Sequence, residues 1–106
     1  MAFGKRQQEE LNALAATAKP MKEGHVRFEV QIRARRAYTR EFGGGMAIVV
    51  QSYEVYEEGE YKFQCKWIAN CQYDYTALER GQEIARYLVD QGVPREHVRL
   101  FRSKKP

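Results

Sequence analysis

The chain has little proline, cysteine, serine or histidine, and no long apolar run. Its 106 residues include 3 prolines and 8 glycines, too few for a linker or a collagen-like repeat. No stretch approaches the ~18 apolar residues that a membrane-spanning helix needs. The first ten residues pass from Lys5-Arg6 to Glu9-Glu10 without an apolar segment, so no secretory signal is expected. Ser52 and Ser103 are the two serines, and neither they nor the cysteines sit in a nucleophile motif. Gly43-Gly44-Gly45 lacks the Lys-Ser/Thr that follows a phosphate-cradling loop, and it lies between strand-like runs rather than before a helix.

The two cysteines, Cys65 and Cys71, fall in one strand-like segment. Six residues of strand span about 20 Å, whereas a disulfide needs Cα atoms within about 7 Å. Their spacing is not that of a zinc pair, and only His25 and His97 could complete a site. The expectation is two unpaired thiols acting as small apolar core residues, no metal, no cofactor and a reducing, cytoplasmic setting.

What is present is 43% apolar and 30% charged sequence with a net charge of +4, the profile of one small globular domain spanning residues 1–106. The charge is unevenly spread. Residues 1–40 hold nine Lys/Arg against four Asp/Glu, residues 41–75 two against six, and residues 76–106 seven against four. Basic ends around an acidic middle suggest an oriented electrostatic contact.

Residues 5–18 read as a helix rich in strong helix formers, with a thin stripe of Phe3, Leu11, Leu14 and Ala18, ended by Pro20. Residues 1–22 are therefore expected to dock loosely. From His25 to Arg35 the chain alternates without a break: Val26, Phe28, Val30, Ile32 and Ala34 on one face, His25, Arg27, Glu29, Gln31, Arg33 and Arg35 on the other. That is a half-buried strand with one wet face. Two further strands, Met46–Tyr56 and Glu60–Tyr73, flank Glu57-Glu58-Gly59, which fits a three-residue hairpin loop. This register sets Val55 against Tyr61, Tyr53 against Phe63, Gln51 against Cys65 and Val49 against Trp67 on the core face, with Glu54 opposite Lys62 on the wet face. It leaves Ile48, Val50 and Ile68 on the wet face. Either a bulge near Val49 changes the parity, or something covers an apolar end of that face.

Thr76-Ala77-Leu78-Glu79 has capping-box spacing and is expected to open a second helix, with a stripe of Ala77, Leu78, Gly81, Ile84, Ala85 and Leu88 and an ending at Gly92 before Pro94. His97–Arg102 reads as a short strand added beside the first. The expected fold is an α+β two-layer sandwich of order α-β-β-β-α-β, its sheet largely antiparallel and its helices on one face.

The order α-β-β-β-α is similar to that of double-stranded RNA-binding domains, although Thr76 to Gly81 offers only Arg80 where that family has a basic helix start. Arg80-Gly81, Ile84, Tyr87-Leu88 and Gly92-Val93-Pro94 resemble the helix and turn of outer-membrane-type peptidoglycan-binding domains over about a quarter of the chain. That family's preceding Asp-bearing strand has no counterpart here. No functional residue carries over from either.

His25, Arg27 and Glu29 share a strand face and could serve acid–base chemistry, but alternating exposed charges on any antiparallel strand look the same, and no enzyme is expected. The leading expectation is a small non-enzymatic module that binds nucleic acid, DNA or RNA, through a basic sheet face. Arg27, Arg33, Arg35, Arg36, Lys62, Lys66 and Arg99 would supply the charge, with Tyr38, Tyr56 and Phe101 nearby for stacking. The alternative is a protein-binding adaptor or inhibitor of the kind phage and other mobile-element genomes encode, dimeric in one version, with a protein as partner.

Overall fold

The computed structural model describes residues 3–18, 24–35, 45–71 and 74–102. Helix α1 (Lys5–Ala16) leads into strands β1 (His25–Arg35), β2 (Gly45–Tyr56) and β3 (Gly59–Cys71). Helix α2 (Asp74–Asp90), one 3-10 turn (Arg95–His97) and strand β4 (Val98–Arg102) complete the chain. The four strands form one sheet in the order β3-β2-β1-β4, with β4 parallel to β1 and the other neighbours antiparallel. Both helices pack on one face, as expected for an α+β sandwich.

Local chemistry sets the helix ends. The Gln7 side chain accepts from the Gly4 backbone N–H at 3.0 Å, closing the first turn of α1, and the Thr17 hydroxyl donates to the Leu14 carbonyl at 2.6 Å at its other end. α2 begins at Asp74, two residues before the expected capping box, so Thr76 lies inside the first turn and does not cap it. It ends in paired bonds from Gly92 N to the Val89 carbonyl and from Val93 N to the Leu88 carbonyl, with Gly92 at a φ of 106°. This is the Schellman arrangement, and the Leu88 and Val93 side chains meet beneath it in the core.

The apolar face of β1 is as expected, Val26, Phe28, Val30 and Ile32 all being 1% exposed or less, but the opposite face is not wet throughout: Glu29 and Gln31 are buried at 9% and 6%. The four apolar side chains meet Leu11 and Leu14 of α1, and Ala77, Ile84 and Leu88 of α2. Two leucines make the thin α1 stripe sufficient to join this core. Leu78, expected in the α2 stripe, is instead 37% exposed. α2 can approach the sheet closely because Gly81 has no side chain: a Cβ there would lie 3.0 Å from Leu100 Cδ1 and 3.2 Å from Ile32 Cδ1.

β2 and β3 correct the expected register. Tyr56 pairs with Gly59, so the hairpin turns on two residues, Glu57 and Glu58; Tyr53 then faces Lys62 and Glu54 faces Tyr61. Two irregularities in β3 follow, leaving Phe63 and Ile68 as extra residues between paired positions. Between them the expected pairs Gln51–Cys65 and Val49–Trp67 do form. The face assignment is reversed. Pairing with β1 puts Ile48, Val50, Ser52 and Glu54 on the helix-bearing side, and Ile48, Val50 and Ile68 are fully buried.

Parity was misread because the middle of β2 is apolar on both faces, Val49 being only 7% exposed. The helix-bearing side also carries Ser52, a fully buried polar residue whose hydroxyl has no hydrogen-bond partner among the described residues. The bulge beside Val49 is real, but it lies in β3. It turns both Ile68 and Ala69 into the core, while β2 keeps one parity throughout.

Candidate functional site

Neither helix covers the other face of the sheet, and the strand registers order its side chains into transverse rows. Past the row of Glu60, Val55 and His25 at the hairpin end, the first row across the face is Lys62, Tyr53 and Arg27; the second is Cys65, Gln51, Glu29 and Arg99. Trp67, Val49, Gln31 and Phe101 make the third, and Asn70, Ala47 and Arg33 the fourth. Successive rows are about 7 Å apart and neighbouring strands about 4.8 Å.

The middle of this face is a hydrogen-bonded polar floor. Gln31 Nε2 donates to Glu29 Oε1 and, at 2.8 Å, to Gln51 Oε1. The Tyr53 hydroxyl donates to the same Gln51 oxygen, and the Arg33 guanidinium donates to Gln31 Oε1, from Nε at 2.8 Å. Gln51 Nε2 lies 3.8 Å from Cys65 Sγ. Glu29, Gln31 and Gln51 are each 9% exposed or less, so the floor is set down while the residues around it stand up. Around it, Arg99, Phe101, Trp67 and Lys62 are all exposed.

Charge is partly compensated at the hairpin end. Arg27 makes a two-pronged bond to Glu60 at 2.5 and 2.8 Å, and its guanidinium lies 5.2 Å from the centre of the Tyr53 ring. Burial and the nearby Glu29 carboxylate push the Tyr53 phenol above its usual 10.0, against the opposing pull of Arg27. Beyond Arg27, His25 stacks on His97 with ring centroids 4.5 Å apart.

Of the seven cations expected at the site, Arg27, Arg33, Lys62 and Arg99 come together on this face. Lys66 does not: it pairs with Val50 and so belongs to the helix-bearing side. The extra residue at Phe63 breaks the even spacing that would have kept Lys62 and Lys66 together. Arg35 occupies the last β1 register position, opposite Gly45; its side chain, like the whole of Arg36, lies outside the described residues, as does Tyr38. Tyr56 bonds Glu54 at 2.9 Å on the helix-bearing side, away from the patch, and Phe101 stands in it.

Gln51, Tyr53 and Trp67, which the expected parity sent into the core, belong to the exposed face. Pairing β2 to the unambiguous β1 pattern would have found them. Cys65 is exposed there too, rather than in the core, while Cys71 is half-buried against the core and both thiols are free.

Among the described residues, the fold and face define a two-layer α+β domain with one sheet surface that neither helix packs across, basic and aromatic at its rim. The chain matches no protein-family model, no curated protein and no solved structure. No helix among the described residues is long and apolar enough to cross a membrane.

Proposed function

We propose that this domain is a non-enzymatic module that binds nucleic acid on its uncovered sheet face. The observation that carries the reading is the assembly of Arg33, Arg99 and Lys62 with Phe101, Trp67 and Tyr53 on the sheet face opposite the helices. Cations reward phosphate contacts, and exposed rings reward unstacked bases. The three residues that could have served acid–base chemistry are engaged with one another's neighbours: His25 with His97, Arg27 with Glu60 and Glu29 with Gln31. That supports binding over catalysis. A cytoplasmic setting goes with this reading, given two thiols without disulfides.

Fluorescence anisotropy with labelled DNA and RNA at several salt concentrations tests it. Micromolar or tighter binding is expected, weakening by about 0.7–0.9 logarithmic units per phosphate contacted for each tenfold rise in salt. Arg33→Glu with Arg99→Glu should abolish it without unfolding the protein. Undiminished binding by that variant would remove the face from the account. A protein partner is the second reading. It would be met at the hairpin, where Tyr61 and Phe63 are 63% and 44% exposed beside Glu57, Glu58 and Glu60.

A further inference from the structure

Building on the nucleic-acid reading, we infer that the uncovered face takes single-stranded RNA, with bases on Phe101 and Trp67 and the ribose over Glu29. The third transverse row carries an exposed aromatic at each end, Phe101 on β4 (43% exposed) and Trp67 on β3 (47% exposed), with Gln31 and Val49 between them. Three strand spacings separate the backbone positions of Phe101 and Trp67 by roughly 14 Å. One surface of the Trp67 ring is occupied by Arg6 of α1, 4.8 Å from its centre, and its indole N–H donates to Asn70 at 2.9 Å. The ring is thus held in a fixed orientation. Phe101 and Trp67 form platforms that paired, stacked bases cannot use and unpaired bases can.

The distribution of charge argues for the same occupant. The cations of this face with no carboxylate partner among the described residues, Arg33, Arg99 and Lys62, stand at its periphery. The centre holds Glu29, a carboxylate 9% exposed to which, among the described residues, only Gln31 donates. A phosphate laid over the middle would meet that negative charge. The backbone that fits runs its phosphates along the rim and turns hydrogen-bond donors inward. DNA's sugar-phosphate backbone has no donor, and RNA's has one on every residue, the 2′-hydroxyl. The Glu29 carboxylate, with one donor for its roughly four lone-pair sites, is an acceptor for that hydroxyl or for the amino groups of unpaired bases; Gln51 Oε1 is already filled by Gln31 and Tyr53.

Trp67 is the chain's sole tryptophan, so base stacking beside it can be read directly. The test uses the full chain with ten-nucleotide single-stranded RNA, single-stranded DNA of the same sequence, and the two corresponding duplexes, following Trp67 emission and anisotropy together. Single-stranded RNA should quench Trp67 and bind at least ten-fold tighter than either duplex and several-fold tighter than single-stranded DNA. Phe101→Ala should weaken RNA binding by roughly ten-fold with its thermal melt unchanged. Glu29→Gln should bring RNA and DNA affinities together, mainly by improving DNA.

Duplex binding as tight as single-strand binding, with Trp67 emission unmoved, would overturn the single-strand inference and leave nucleic-acid binding standing. Equal affinity for single-stranded RNA and DNA in the unaltered protein would overturn the ribose assignment. Failure of all four ligands at low salt would overturn both this inference and the reading beneath it, and would turn attention to a protein partner.

Discussion

At the scale of single residues, the two cysteines separate by environment rather than by sequence. Cys65 is exposed on the sheet face opposite the helices; Cys71 is half-buried against the core, and burial raises its thiol above the ordinary 9.0 despite the nearby Arg80. Brief treatment with iodoacetamide near pH 8, read by peptide mass spectrometry, should therefore modify Cys65 well before Cys71. Because the folded-state value of Cys71 lies above the unfolded one, the unfolded chain ionises first. Its contribution is intact below pH 9 and is lost as pH climbs through the raised value. A Cys71→Ala variant should flatten that part of an alkaline stability profile. Glu60 is the other informative residue, since it neutralises Arg27 through the two-pronged bond. Glu60→Gln should tighten RNA binding several-fold and steepen its salt dependence, by freeing one guanidinium and removing one repelling charge. Unchanged affinity and slope would mean Arg27 lies outside the contact.

At the scale of elements, legibility followed the clarity of the hydropathy period. β1 could be read residue by residue, because one face is uniformly apolar from Val26 to Ala34. The α2 ending was equally plain, since Gly92 is the residue type that a φ of 106° favours. Gly92→Ala should cost about 1–2 kcal/mol, measured by urea unfolding. Gly81→Val should cost about 1–3 kcal/mol by forcing Leu100 and Ile32 off their packing against α2; an unchanged midpoint would show that the helix can lift at no cost. The β2–β3 hairpin was legible as a hairpin but not in register. A bulge adds one residue and leaves no mark in a two-residue period except a change of face; both changes fall in β3, at Phe63 and Ile68, and β2, against which β3 is aligned, is apolar on both faces around Val49. Both free edges of the sheet are blunted, β3 by two irregularities with Lys62 and Lys66, and β4 by its five-residue length with Arg99 and Arg102. Sheet extension by strand pairing is disfavoured.

At the scale of the whole molecule, the sign asymmetry of the sequence resolves into an arrangement. The acidic middle forms the hairpin, where Glu57, Glu58 and Glu60 are exposed, and the basic first and last segments meet where β4 lies beside β1. The cationic half of the site was therefore visible beforehand in Arg27, Arg33 and Arg99. Of its aromatic and amide half Phe101 was legible too; Tyr53, Gln51 and Trp67 were not, because they depended on the parity of β2 and β3. Cations alone indicate a charged partner, and the added rings and acceptors are what point to unpaired RNA. Amide chemical-shift mapping reads that face most directly: a nitrogen–proton correlation spectrum of the labelled protein, titrated with a single-stranded RNA decamer. Shifts should concentrate at Glu29–Arg33, Val49–Tyr53, the Trp67 indole and Arg99–Phe101, with the outer surfaces of α1 and α2 silent. Shifts clustered instead in the cleft between the helices, around Asn12, Ala15, Gln91 and Pro94, would contradict the account.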